Sequence, residues 1–201
     1  ILSILQLTME FDSVIKKRKS ANSFGDKKPS WKYALDAIES ANQGPFAGNK
    51  NNLKFIIVED EDTIKKISKI SEQSWINQSQ LLILVCSDDT HLENLYGHKG
   101  RVYSRQQAGA AIQTILLKLT DLGLASCWVG AYSDEILKEI LKIPQHIQVE
   151  AVIPIGYEPK TRTKSKPRKQ ALDTTIYWEN WEKDKRPPMF KETKDPLALR
   201  S

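Results

Sequence analysis

The stretch that decides the fold runs from residue 123 to residue 132 and is Gly-Leu-Ala-Ser-Cys-Trp-Val-Gly-Ala-Tyr. Leu124–Val129 is apolar, which predicts a buried strand, and Ser133 then begins a helix as its expected cap. Between strand and helix, Gly130 and Ala131 would expose backbone N–H groups that can donate to an electron-rich ring nitrogen or a carbonyl. An ordinary strand-to-helix turn, in which Gly130 only relieves crowding, is the alternative interpretation.

Helices and strands alternate on both sides of this stretch. Apolar residues at helical spacing predict a long helix over Tyr103–Leu122, which Gly123 would end with a left-handed conformation. Leu53–Val58, Leu81–Cys86 and Val149–Ile155 are apolar enough to predict three further strands. This alternation predicts one sheet covered by helices, but it does not separate a parallel α/β sheet from an antiparallel α+β sheet.

Length and composition predict one ordinary globular domain. The chain has 201 residues, of which 40% are hydrophobic and 27% charged, so collagen-like and disordered classes are excluded. The net charge of +5, from 30 basic and 25 acidic residues, favours anionic ligands without the asymmetry of a dedicated nucleic-acid protein. No apolar run approaches the roughly 20 residues of a membrane-spanning helix, so no membrane association is expected.

The cysteines and histidines do not form a pattern that indicates a metal site. Cys86 and Cys127 lie far apart in apolar surroundings, which disfavours a disulfide framework, a zinc site and a reactive thiolate. His91, His98 and His146 share no ligand spacing. We therefore expect no metal and a reducing, cytoplasmic compartment.

Two basic segments are candidates for binding an anion. Arg18, Lys19 and Ser20, with Asn22 close behind, follow a short predicted helix over Phe11–Lys17 and can grip a phosphate. The more common interpretation of such a cluster is a solvated basic patch. The second segment, residues 160–169, places six cations in ten residues.

The loop Pro45-Phe46-Ala47-Gly48-Asn49 is a candidate wall for a flat ring. Its small residues would let the backbone approach the ring while the amide of Asn49 reads the ring edge. A plain turn is the alternative interpretation.

The order of these features resembles the FMN-dependent nitroreductase family over roughly residues 10–181. Arg18–Phe24 is similar to the family signature Arg-Arg-Ser-x-Arg-x-Phe, and Pro45–Asn49 to its Pro-Ser-x-x-Asn loop. Residues 123–132 are similar to Gly-Leu-Gly-Ser-Cys-Trp-x-Gly-x-Phe, and Ile153–Tyr157 to Ile-Pro-x-Gly-Tyr. Tyr96–Tyr103 with the Ala-rich helix after it, and Lys166–Lys169 at the end, complete the resemblance.

The resemblance implies an α+β fold of the nitroreductase type, in which helices flank a mostly antiparallel central sheet. It also implies a homodimer with FMN at the subunit interface. The family activity is hydride transfer from NAD(P)H to FMN followed by reduction of nitro, quinone or similar acceptors, a ping-pong cycle that needs no catalytic side chain. The residues that the resemblance assigns to FMN are Arg18, Lys19, Ser20, Asn22, Pro45, Phe46, Ala47, Asn49, Val129, Gly130, Ala131, Lys166 and Arg168.

Departures from the family pattern leave other functions open. Asn22 replaces an Arg, Phe46 replaces a Ser beside the ring, and residues 51–53 replace Gln-Pro-Trp. One alternative is an FMN enzyme of the same fold that acts on a dedicated metabolite, as a dehydrogenase or reductive dehalogenase. A basic nucleic-acid-binding protein is a weaker alternative from another class.

The predicted domain organisation has three parts. Residues 1–9 form a leader or arm outside the core, residues 10–181 form the nitroreductase-like domain, and residues 182–201 form a C-terminal tail. Aromatic residues before the tail, such as Tyr177 and Trp178, are dense enough to dock on a partner.

Overall fold

The computed structural model describes residues 10–159 and 174–186. These ranges belong to two separate compact units, and each unit is considered by itself. The predictions made for residues 1–9, for Lys166 and Arg168, and for residues 187–201 lie outside the described residues. The domain boundary at residue 181 stays a prediction.

A four-stranded sheet with the order β1-β2-β4-β3 lies at the centre of residues 10–159. Every pair of neighbouring strands is antiparallel, so the predicted α+β class is confirmed. β2 lies inside the sheet, which explains its unbroken apolar sequence. The strands are β1 Leu53–Val58, β2 Leu81–Asp88, β3 Ala125–Ser126 and β4 Ile147–Gly156.

Helices cover both faces of the sheet. Alternate residues of β2 enter two separate cores: Leu81, Ile83 and Val85 pack towards α2 and α5, whereas Leu82, Leu84 and Cys86 pack towards α3 and α6. This alternation is the pleat of a strand that is buried on both faces. The helices are α1 Phe11–Lys17, α2 Lys32–Ala41, α3 Glu61–Ile70, α4 Thr90–Tyr96, α5 His98–Asp121 and α6 Asp134–Leu141, with 3₁₀ turns at Ala47–Asn49 and Ser74–Gln78.

The long helix α5 begins five residues earlier than predicted. Gly97, with φ of 57°, separates it from α4. Gly100 then lets the two helices touch, because a Cβ there would lie 2.3 Å from the carbonyl oxygen of Leu92. At the other end, Gly123 has φ of 75°, which confirms the predicted left-handed stop.

The predicted strand Leu124–Val129 is only partly correct. Pairing is continuous at Ala125 and Ser126 and resumes at Val129, which exchanges backbone hydrogen bonds of 2.9 and 3.0 Å with Val152. The gap lies opposite Pro154, which has no N–H to donate to the ladder. Ser133 is the N-cap residue of α6, as predicted, and its carbonyl accepts a hydrogen bond of 2.9 Å from the Leu137 N–H, but its side chain makes no capping hydrogen bond.

No helix within the two described ranges is both long enough and apolar enough to cross a membrane. In residues 174–186, Tyr177 stacks on Trp181 with ring centres 4.4 Å apart, and the Arg186 guanidinium lies 5.7 Å from the centre of the Trp178 ring.

Candidate functional site

The N-terminal basic segment runs beside β3. The backbone N–H of Ala21 donates to the Ser126 carbonyl at 3.0 Å, and Ser20 forms a parallel bridge with Ser126. The N–H of Gly25 donates to the Tyr157 carbonyl at 2.9 Å, which holds the far end of the segment. Residues 18–22 therefore lie beside the strand that leads into the Gly130 turn, although about a hundred residues separate them in sequence.

The two cations of this segment, Arg18 and Lys19, are half-buried. Lys19 pairs with Glu158 at 2.7 Å across partly exposed surface. An anion that takes Lys19 must displace this carboxylate, but a surface ion pair contributes only about 0–1 kcal/mol. Ser20 and Asn22 are exposed.

The Gly130 turn is fastened to β4 at both ends. Val129 is paired with Val152, and the Tyr132 hydroxyl donates to the Val149 carbonyl at 3.0 Å. Burial raises the pKa of Tyr132, so the hydroxyl stays protonated as a donor. Gly130 and Ala131 between these anchors are exposed, and no atom lies within 4 Å of a Cβ built on Gly130. The backbone of the turn thus faces open space, as a flat ligand requires.

The loop Pro45–Asn49 lies against α5. Gly48 and Asn49 have φ of 58° and 55°, so the chain turns back sharply there. A Cβ on Gly48 would lie 2.7 Å from the Tyr96 hydroxyl. Beside the loop is a cavity of about 190 Å³, lined by Pro45, Ala47, Tyr103, Gln106, Gln107 and Ala110.

Two other predicted loop residues are placed differently from Pro45 and Ala47. Phe46 is half-buried and packs against the apolar core under α2 and α5, and it does not line the cavity. Asn49 is exposed. The Phe46 side chain therefore contributes to packing, whatever its part in binding.

The loop and the strand end before the Gly130 turn both approach α5. Gln107 accepts a hydrogen bond from the loop, and a methyl group on Gly109 would lie 3.8 Å from the Trp128 ring, two residues before Gly130. Gln106 and Ala110, on either side of these two residues, line the cavity beside the loop. One stretch of α5 therefore contacts the loop and the strand end that leads to the turn.

A buried polar network behind the loop was missed by the sequence analysis. Arg105 forms ion pairs with Asp89 and Glu150, and Ser104 connects Asp89 to Asn52. Burial raises the pKa of Glu150, against the hydrogen bond from Ser87 and the charge of Arg105. A glutamate inside the apolar run of β4 was the only signal of this network in the sequence.

The thiol of Cys86 does not have the surroundings of a nucleophile. Cys86 is buried, and burial raises the pKa of its thiol to about 11. Cys127 is half-buried, and no disulfide joins it to Cys86. In the part of the chain that the structure describes, no group of three or more His, Cys, Asp or Glu side chains is placed to hold a metal ion.

Comparisons with known proteins agree with this architecture. A family model described as the nitroreductase family matches residues 71–157. The chain is 30% identical, over 72% of its length and 83% of the relative, to an Archaeoglobus fulgidus protein provisionally named NADH dehydrogenase/NAD(P)H nitroreductase. It is 25% identical to an iodotyrosine deiodinase of Thermotoga neapolitana, over 73% of this chain and 89% of the relative. With the Bacillus subtilis FMN reductase (NAD(P)H), identity is 27% over 75% of this chain and 66% of the relative.

A solved structure is similar over nearly the whole chain. The nitroreductase family protein from Clostridium novyi NT superposes with a TM-score of 0.69 at 28% identity, covering 86% of this chain and 95% of that one. The fold, the family model and the relatives agree, and the chain belongs to the nitroreductase family of oxidoreductases.

Proposed function

We propose that this protein is an FMN-dependent oxidoreductase that takes a hydride from NAD(P)H and reduces nitro, quinone or similar acceptors in a ping-pong cycle. The observation that supports the proposal is the pairing of Ser20 and Ala21 with Ser126 of β3, which brings the basic segment alongside the strand that leads to the exposed Gly130 turn. Cations near one end of this strand and exposed backbone donors at its other end suit a molecule with a phosphate at one end and a flat ring at the other.

The residues present fit FMN. Arg18, Lys19 and Ser20 would hold the phosphate, and the N–H groups of Gly130 and Ala131 would donate to the ring edge. Bound FMN would supply the electron carrier, accepting a hydride at N5 and returning the electrons to a second substrate. The protein contributes binding and orientation, and Lys166 and Arg168 stay predicted phosphate ligands.

We propose a homodimer with two sites, each built from both chains. The Pro45–Asn49 loop meets α5 at Gln107 and the strand end before the Gly130 turn meets it near Gly109, and the resemblance implies that a second chain completes each ring site. Two large apolar side chains are also exposed in the described part of the chain: Val102 on α5 is 52% exposed, and Trp128, two residues before Gly130, is 43% exposed. Burying them against a second copy would stabilise the dimer.

The purified protein tests the proposal directly. We expect a yellow protein whose released flavin is FMN, and whose flavin absorbance bleaches during anaerobic titration with NADH or NADPH. A colourless protein that takes up no FMN on reconstitution would exclude the proposal. If that protein instead bound oligonucleotides with a steep salt dependence, the nucleic-acid alternative would be favoured.

Arg18→Ala should weaken FMN binding by about 1.5–3 kcal/mol, because it removes a charge-assisted hydrogen bond to the phosphate. Riboflavin, which has no phosphate, should bind Arg18→Ala as it binds the wild type. Quenching of flavin fluorescence measures both affinities. Lys69→Ala, an exposed cation on α3, is the control and should bind both flavins normally. Equal loss of FMN and riboflavin affinity would argue against phosphate binding by Arg18.

Cys127→Ser should keep bound flavin and change the rate of NAD(P)H oxidation less than about tenfold, since hydride transfer to a flavin needs geometry more than a thiol. Rapid-reaction measurements under anaerobic conditions separate reduction of the flavin from its reoxidation. If Cys127→Ser retained flavin that NAD(P)H no longer reduced, the absence of a catalytic side chain would be disproved.

A dedicated metabolite as acceptor is the second candidate. It is favoured by the similarity to a protein named iodotyrosine deiodinase and by the altered residues Phe46 and Asn51–Leu53. Reoxidation rates with a nitroaromatic compound, a quinone and a halogenated tyrosine distinguish the candidates. A preference of more than about a hundredfold for the halogenated substrate would replace the first proposal with the second.

A reducing, cytoplasmic compartment stays part of the proposal, because the two cysteines are not disulfide-bonded.

A further inference from the structure

One buried side-chain amide holds the loop that would form the ring wall. The Gln107 Oε1 accepts a hydrogen bond from the Ala47 N–H at 3.0 Å. Its Nε2 donates to the Lys50 carbonyl at 3.3 Å and also to the Asn52 Oδ1. Gln107 is 5% exposed, so water does not compete for these bonds. A single residue of α5 thus contacts the loop at Ala47, its middle residue, and the chain just after the loop at Lys50 and Asn52.

A second amide fixes the first. The Asn52 Nδ2 donates to the Asp88 carbonyl at 3.0 Å and to the Ser104 Oγ at 2.7 Å, which leaves its Oδ1 facing Gln107. Ser104 in turn donates to Asp89 at 2.6 Å. These bonds determine which atom of each amide is the acceptor, and Gln107 can satisfy its partners in only one orientation.

The loop forms few hydrogen bonds of its own. Its backbone hydrogen bonds are two short turns, from the Asn49 N–H to Phe46 and from the Lys50 N–H to Ala47. Asn49 adopts a left-handed conformation that costs a non-glycine residue energy. Packing of Phe46 against the core anchors the loop from below, and the amide of Gln107 adds hydrogen bonds from α5 beside Pro45 and Ala47, which line the cavity.

We propose that Gln107 is the positioning residue of this wall: its amide sets the distance and angle at which Pro45–Asn49 meets the flavin ring. The proposal rests on the proposed function for the identity of the ligand. Gln107 contacts the loop, whereas the residues proposed to hold the phosphate are Arg18, Lys19 and Ser20, so the removal of Gln107 should affect every ligand that carries the ring, with or without a phosphate.

The test compares Gln107→Met, which keeps the length and removes all three bonds, with Gln107→Glu, which keeps the acceptor for Ala47 but loses both donors. Gln145→Met, at an exposed position in the connection between α6 and β4, is the control. In flavin-free protein, hydrogen exchange over residues 45–52 should accelerate at least about tenfold in Gln107→Met and less in Gln107→Glu, since each lost bond releases part of the loop.

In flavin-loaded protein, the affinities for FMN and riboflavin should fall by the same factor, on the order of tenfold, in Gln107→Met. The visible absorption band of bound flavin should shift, because the ring surroundings change. A Gln107→Met protein with a lower Tm, but with the flavin affinity, absorption spectrum and hydrogen exchange of the wild type, would show that Gln107 only stabilises the fold. That result would overturn the proposal.

Failure of the proposed function would look different. Wild-type protein would then bind neither flavin, whereas the exchange measurement on the same flavin-free chains would still decide whether Gln107 holds the loop. Unchanged hydrogen exchange over residues 45–52 in both Gln107 variants would show that Gln107 does not hold the loop, even if the wild type proved to be a flavoprotein.

Discussion

Gly130→Val should abolish flavin binding without lowering the stability of the fold. A Cβ at Gly130 meets no atom within 4 Å, and the backbone there is not in the left-handed region, so the structure accepts a valine without a clash. The added methyl groups would fill the space in front of the turn where the ring is proposed to lie. We expect the Kd for FMN to rise more than a hundredfold, about 2.7 kcal/mol. Fluorescence titration and a thermal unfolding curve measure the two quantities.

The size of the side chain provides the control for this prediction. Gly130→Ala adds a single methyl group and should give an intermediate Kd, while both variants keep the wild-type Tm. A fully loaded, yellow Gly130→Val protein would show that the ring lies elsewhere. A colourless protein with a much lower Tm would show that the valine disturbs the fold instead.

Co-expression of Gly130→Val with Gln107→Met tests the two-chain site. In a mixed dimer, one of the two sites combines an intact turn from one chain with an intact loop from the other. Flavin binding should therefore return in the mixed dimer, although each variant alone binds poorly. No recovery in isolated mixed dimers would mean that one chain supplies both walls.

Arg105→Ala should lower the free energy of unfolding by about 2–4 kcal/mol. The guanidinium neutralises two carboxylates, Asp89 and Glu150, whose side chains are only 9% and 10% exposed. Removing one partner of a buried pair costs about 3–5 kcal/mol because a charge is left without compensation. The cost is smaller here because Arg105 itself is 40% exposed and water can reach the pair. Chemical denaturation at neutral pH measures the difference.

The loss in Arg105→Ala should depend on pH. Burial already raises the pKa of Glu150, and removing the Arg105 charge raises it further. Between the ordinary glutamate pKa and this raised value, the folded state binds more protons than the unfolded state, so stability falls as pH rises. The destabilisation should therefore be smallest near the ordinary glutamate pKa and grow as the pH rises above it.

Glu150→Gln is the matched test of this explanation. The double variant Arg105→Ala/Glu150→Gln should lose less stability at neutral pH than Arg105→Ala alone, and its loss should vary less with pH. If the loss of unfolding free energy in Arg105→Ala stayed constant across this pH range, the titration of Glu150 would not explain it.

Local patterns predicted the elements that depend on local physics. The apolar run Leu81–Cys86 predicted an interior strand, because a strand covered on both faces needs no polar side chain. Gly123 marked the end of α5, because only a residue that tolerates positive φ fits there. The interruption of β3 depends on the hydrogen-bonding partner and not on apolarity, which is why the predicted strand Leu124–Val129 was too long.

Motif order predicted the family, because six blocks in the right order along the chain are far less common by chance than one block. It did not predict the interior polar chemistry. Neither Gln107 nor Asn52 belongs to a motif that the sequence would single out. Their contribution comes from three hydrogen bonds of Gln107 that form only when α5 packs beside the loop. Lys19 was predicted as a phosphate ligand, and only the folded chain revealed its carboxylate partner Glu158.

The sequence by itself determined the strands β1, β2 and β4, most of the length of α5 and the buried faces of these elements, since they follow from side-chain period and from the special backbone of glycine and proline. The tertiary structure decided the antiparallel order β1-β2-β4-β3, the contact between Ala21 and Ser126, and the hydrogen bonds that join Gln107 of α5 to the Pro45–Asn49 loop and the residues after it. These are pairings between distant segments. They are selected by which backbone donors and acceptors satisfy each other once the core has formed, and no local pattern encodes that choice.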